Sequence, residues 1–200
     1  MKLRTAFLTV AVAATACTTT YDPLEDYEEM PAPKIMAAPS LRTGATDSPN
    51  PELAARGRYL VELIGCATCH TDGALVGDPD FDRWLAGSRV GIAYSNPLKY
   101  KNPGVLYPSN LTPDGETGIG SWTDAEIKNA IQGGVGQHGL RQVAVMPWPA
   151  YAKLSDEDLD GIVAYLQSLA PIRHAVPDNV VPGDKASEQY VHFGVYRSRR

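Results

Sequence analysis

Five consecutive residues constrain this chain more than any others: Cys66-Ala67-Thr68-Cys69-His70. A Cys-x-x-Cys-His run is the attachment signature for c-type haem. The two thiols add across porphyrin vinyl groups as thioethers, and the adjacent histidine is placed to ligate the iron from one face. A chain carrying this run folds around a flat macrocycle rather than around side chains alone. Other readings of the cysteines meet obstacles. A structural zinc site wants a second Cys or His pair at ligand spacing, and the only other cysteine, Cys17, lies far upstream. A thioredoxin-like pair wants a preceding strand in a βαβ context, and neither is visible.

A low-spin electron-transfer haem needs a ligand on its second face. Val145-Met146-Pro147-Trp148 offers Met146, 76 residues after His70, in a loop between two expected helices. Methionine sulfur is a soft ligand that favours ferrous iron and raises the potential. As a core gap-filler, a methionine before proline in a loop would be out of place. His138 is the rival, because the glycines at 133, 134, 136 and 139 could bring it to the iron. Met30 and Met36 sit upstream in a linker and are poor candidates.

The N-terminal end is a targeting segment rather than part of the fold. Lys2 and Arg4 form a positive region, and Thr5 to Ala16 a short apolar one, so residues 1–16 read as a signal peptide cleaved after Ala16. The run is well below the ~20 residues that span a bilayer as a helix. Ala14-Thr15-Ala16-Cys17 fits simple secretion, and it also fits a bacterial lipoprotein box with Cys17 lipidated. Cysteine arithmetic favours the lipid anchor, since haem consumes the other two thiols and leaves Cys17 as an odd exported one. Residues 17–50 read as a disordered linker, lipid-anchored or free, broken by five prolines and charged by five acids between 22 and 29. As a coil it would reach about 30–35 Å, and as polyproline up to roughly 100 Å.

Of 200 residues, 18 are basic and 23 acidic. Loss of the signal peptide leaves 16 basic residues and a net charge of −7. With no basic stripe, nucleic-acid binding is excluded. An acidic surface would instead steer the protein to a basic patch on a partner. Ordinary apolar content suits one globular domain with extensions.

Order is expected from Pro51, where proline and Glu52 open a helix that carries Leu53, Gly57, Leu60, Val61 and Ile64 into the haem motif. A glycine- and proline-punctuated stretch follows to Asn110, with one short turn near 81–86. Thr123-Asp124-Ala125-Glu126 has the form of a capping box and opens a helix to about Gln132, stopped by Gly133-Gly134. Ser155-Asp156-Glu157-Asp158 opens the strongest helix, with Leu159, Ile162, Val163, Leu166 and Leu169 on one face and Pro171 beyond. Residues 173–200 form a C-terminal extension with Tyr190, Phe193 and Tyr196 and a basic tip. It either packs back on the domain, the preferred reading, or docks a partner.

In this order of parts, the chain resembles class I cytochromes c. That implies an all-α helical domain over residues 51–172, wrapped around one covalent haem with long loops. It also implies a tight crossing of first and last helices, with Gly57 meeting Tyr165. A closer resemblance rests on Asn110-Leu111-Thr112-Pro113-Asp114, then Thr117 to Trp122, then Met146-Pro147-Trp148 and Tyr151. These motifs are similar to the haem domains of cytochrome c subunits of membrane-bound alcohol and gluconate dehydrogenases, over about residues 52–172. Those subunits typically carry three haem domains, whereas this chain has one attachment motif. Tyr107, Trp122, Trp148 and Tyr151 are expected at the haem pocket, and Arg89 or Arg141 at a propionate.

The resulting expectation is a non-catalytic, exported carrier of single electrons in a bacterial periplasm, anchored to a membrane as a lipoprotein through Cys17. Its cofactor would be one covalent haem c with iron held by His70 and Met146. Its partners would be redox proteins: a dehydrogenase, a respiratory complex or an oxidase. A haem ligated on both faces leaves no open site for substrate. The competing expectations are a haem enzyme or gas sensor with a labile sixth ligand, and an accessory haem subunit of a larger oxidoreductase.

Overall fold

The computed structural model describes residues 25, 27, 28, 30, 48–96, 99–136 and 145–192. The signal peptide, Cys17, Met36, His138, Arg141, Phe193, Tyr196 and the basic tip lie outside the described residues, as does most of the linker.

Local sequence explains where the helices begin. Helix α1 (Pro51–Leu63) has proline in its first turn, and the Asn50 side chain accepts from the Leu53 N–H. Gly65, at φ 73°, turns the chain into the one-turn helix α2 (Cys66–His70) that carries the motif. Helix α3 (Asp124–Gly133) starts on a complete capping box. Thr123 accepts from the Glu126 N–H, and the Glu126 carboxylate accepts from the Thr123 N–H at 2.7 Å. Helix α4 (Trp148–Tyr151) follows Met146, and α5 (Asp156–Gln167) is capped by Ser155.

α1 and α5 cross in direct backbone contact. A Cβ at Gly57 would stand 1.7 Å from the Gly161 carbonyl oxygen and 2.8 Å from the Ile162 nitrogen. The close approach expected at Gly57 therefore meets Gly161, not Tyr165. Tyr165 lies buried one turn further along α5, where its hydroxyl accepts a hydrogen bond from Trp84. The main core joins Leu60 and Val61 of α1, Ile127 and Ile131 of α3, and Leu159, Ile162, Val163 and Leu166 of α5.

Helices dominate, but the all-α expectation omits a small sheet. Strands β1 (Gly91–Ala93), β2 (Val105–Leu106) and β3 (Tyr190–His192) lie in the order β2-β1-β3. β1 is antiparallel to β2, with Ile92 opposite Leu106, and parallel to β3, with Ile92 opposite Val191. Ile92, Val191 and Leu75 form a second, smaller apolar cluster.

Through β3 the chain beyond residue 172 is built into the domain. Val180 pairs with Val105 as an isolated bridge. His174, buried, donates from Nδ1 to the Ala86 carbonyl at 2.9 Å. The linker is also more than a bare spacer at two of its described residues, Tyr27 and Met30, which pack against the sheet region. Among the described residues, no helix is long and apolar enough to cross a membrane.

Candidate haem site

The two cysteines and the histidine of the motif are set by the turn at Gly65. Cys66 and His70 face a cavity whose other walls come from every helix of the main core. Ile64 ends α1, Ile127 and Ile131 come from α3, Tyr151 from α4, and Ile162 and Leu166 from α5. The loop before α3 adds Ser109, Leu111, Ile119 and Trp122, and Met146 completes the lining. The enclosed space amounts to about 80 Å³.

The loop that supplies one wall is knotted by buried polar groups. The Asn110 side chain accepts from the Thr112 N–H and hydroxyl and donates to Thr117 and to the Ile172 carbonyl. Asp114 accepts from the Thr117 N–H and hydroxyl at 2.7 Å each. This network ties residues 110–120 to the chain leaving α5, and it holds Leu111 and Ile119 at the cavity.

His70 donates from Nδ1 to the Ser109 carbonyl at 2.7 Å. That bond assigns the ring proton to Nδ1 and leaves Nε2 with its lone pair free. Burial lowers the His70 pKa, against the opposing pull of the Ser109 carbonyl, so the ring is neutral. A histidine in this state is a ready metal ligand whose orientation is fixed by a backbone partner.

The thiols are equally specific in character. Burial pushes the Cys66 thiol up to about 12, and it raises Cys69 as well. Both are unpaired with each other or with any third cysteine among the described residues. At neutral pH they are therefore protonated thiols in the metal-free protein. Among the described residues, no group of three or more His, Cys, Asp or Glu side chains is placed to hold a metal ion.

A family model described as "Cytochrome c" matches residues 54–170. The chain belongs to the cytochrome c family. Its relatives include the cytochrome c subunit of gluconate 2-dehydrogenase from Pantoea cypripedii, 32% identical over 149 residues, which are 74% of this chain and 30% of that protein. The cytochrome c subunit of the quinone alcohol dehydrogenase from Gluconobacter oxydans is 33% identical over 62% of this chain and 23% of its own length. The cytochrome subunit of fructose dehydrogenase from Gluconobacter japonicus is 32% identical over 74% of this chain and 29% of its own length. The matches thus span less than a third of each of these relatives.

Membership of the cytochrome c family implies covalently bound haem c with iron, and the residues present fit it. The cavity has predominantly apolar walls, a neutral histidine with a free Nε2, a protonated thiol and a thioether, a donor set suited to a flat apolar group with an iron centre.

Of the residues expected at this cytochrome's pocket, Trp122 and Tyr151 line it, and the Tyr151 hydroxyl donates to the Ile64 carbonyl at 3.4 Å. Burial, then the neighbouring Cys66 and Cys69, push the Tyr151 phenol up to about 12. Three expected residues lie elsewhere. Tyr107 packs against Gly91 of the sheet and donates from its hydroxyl to the Glu188 carbonyl at 3.2 Å. Trp148, the first residue of α4, lies over Gly134 at the end of α3. Arg89 is exposed and pairs with Glu188 at 3.0 Å, at a separate surface cleft. Cys69 packs on the smaller cluster, while Cys66 packs on the main core. Ser109 was not foreseen, since a backbone carbonyl leaves no mark in a sequence. Ile162 and Leu166 were legible only as the core face of their helix, and Ile127 and Ile131 were not singled out.

Proposed function

We propose that this cytochrome carries single electrons on one c-type haem, bound covalently through Cys66 and Cys69 and axially through His70 and Met146. The observation that carries the reading is that Cys66, His70 and Met146 line one apolar cavity while the second nitrogen of His70 is committed to Ser109. When bound, the group supplies a ferrous/ferric couple.

The chain's own residues account for the rest. The Ser109 carbonyl holds the His70 ring in one tautomer and raises its basicity as a ligand. The Met146 thioether is a neutral, soft donor that favours the reduced state. Ile119, Ile127, Ile131 and Ile162 exclude water from the cavity, which also favours the less charged state.

Similarity to cytochrome subunits of gluconate, alcohol and fructose dehydrogenases supports exchange with a dehydrogenase or respiratory complex. The N-terminal pattern supports export to the periplasm and attachment to a membrane by lipid on Cys17. A single attachment motif supports one haem.

The test is an absorption spectrum of the matured protein, oxidised and reduced, beside Met146→Ala. Low-spin haem whose methionine–iron charge-transfer band disappears in the variant is the expected result. A band absent from the native protein, or indifferent to the substitution, would remove Met146 as ligand.

A further inference from the structure

The segment ahead of the domain touches the sheet on two sides. The Tyr27 ring meets Tyr190 edge-on, with centroids 6.1 Å apart and planes at 73°, and meets His192 at 6.3 Å and 68°. Tyr190 and His192 are two apart in β3, so their side chains share one face and Val191 takes the other. Val191 is buried with Leu75 and Ile92, and Met30 packs on that cluster. Tyr27 therefore meets one face of β3, and Met30 meets the cluster to which Val191 contributes from the other face. Cys69 and Val145 pack on the same Leu75–Ile92–Val191 cluster, and Val145 directly precedes Met146.

We propose that Tyr27 and Met30 together are a clasp. Tyr27 seats on the Tyr190–His192 face of β3, and Met30, through the shared cluster, positions Cys69 and Val145 beside Met146. Met30 also shields that cluster, so that water is kept from the Cys69 side of the site. Tyr27 and Met30 are positioning residues, and the part of the proposal that reaches the haem rests on the ligand reading above.

The test uses the full-length, haem-loaded protein with Tyr27→Ala, Met30→Ser, both together, and Met30→Leu as the conservative control. Two quantities are read: amide hydrogen exchange at residues 190–192 and the reduction potential. The disruptive variants should raise exchange in β3 at least tenfold and lower the potential, because admitted water favours the more charged ferric state. Their low-spin spectrum should persist, and Met30→Leu should restore both values. Unchanged exchange in the double variant would overturn the clasp. Faster exchange at an unchanged potential would overturn its reach to the haem site. Should the double variant fail to accumulate, Met30→Ser alone decides by the same criteria. Failure of the Met146 reading is seen separately, in the spectrum of the native protein, and leaves the exchange measurement intact.

Discussion

Replacing Gly57 by alanine puts a methyl group into the backbone of the opposing helix. The new Cβ would lie 1.7 Å from the Gly161 oxygen and 2.2 Å from its carbonyl carbon. An ordinary carbon–oxygen contact is about 3.3 Å, so α1 and α5 must part by roughly 1.5 Å at the crossing. Neither obstacle is a side chain that could swing aside. A gap of even 0.5–1 Å forfeits about a quarter to a half of the dispersion well. Leu60, Val61 and Ile162, all buried at or beside the crossing, would each lose about half of a burial worth roughly 1.5–3 kcal/mol. The sum is about 4 kcal/mol, less about 1 kcal/mol regained because alanine is the better helix former, for a net loss of about 3 kcal/mol. At 2–4 °C per kcal/mol for a domain of this size, the melting temperature of the haem-loaded protein should fall by roughly 6–12 °C in circular dichroism. Gly161→Ala is the informative comparison. Its Cβ would meet the Gly57 nitrogen and the Leu53 oxygen at 3.2 Å each, a misfit of a few tenths of an ångström. The helix-propensity gain should offset that and leave Gly161→Ala within about 1 kcal/mol of the native protein. Equal effects from the two substitutions, or a Gly57→Ala protein as stable as the native one, would refute the reasoning.

Two further outcomes are expected. Asn110→Ala removes four hydrogen bonds and strands the fully buried Thr112 N–H, so it should lower the free energy of guanidinium unfolding by about 3 kcal/mol. Asp114 is held below the ordinary carboxylate value of 3.8, first by the Thr117 hydroxyl and then by the Thr117 N–H, with the Arg173 charge as a lesser cause. Because the folded pKa is the lower one, its contribution is complete above about 3.8 and is lost as pH falls through the folded value. Asp114→Asn should therefore flatten the acid limb of the stability profile below pH 4, measured by thermal unfolding, while leaving its dependence near neutrality as in the native protein.

How far these features could be read in advance depended on the range of the interactions behind them. The starts of α1, α3 and α5 are written locally, in Asn50-Pro51, in Thr123 with Glu126, and in Ser155. The haem motif is local too. The sheet is not: its strands are two or three residues long, too short for alternation to register, and β3 pairs with β1 across about a hundred residues of sequence. Gly57 announces a close approach, but helix rotation chooses its partner, and it chose Gly161 over Tyr165. The Asx turns at Asn110 and Asp114 are legible from spacing, whereas the bond from Asn110 to Ile172 joins residues 62 apart and depends on the finished fold. Aromatic residues near a motif are weak guides, because local backbone direction sends Trp148 to Gly134 and Tyr107 to the sheet.

The contact of Tyr27 with β3 also changes the length of the leash. Counted to the start of α1, 33 residues separate Cys17 from Asn50, but only ten separate it from Tyr27. With lipid on Cys17, those ten residues span at most about 35 Å when fully extended. Effective concentration falls roughly as the −3/2 power of tether length, so a clasped domain meets a partner in the same membrane at about six times the local concentration of an unclasped one. One linker tyrosine seated on a three-residue strand would thus set the volume this cytochrome searches for its redox partners.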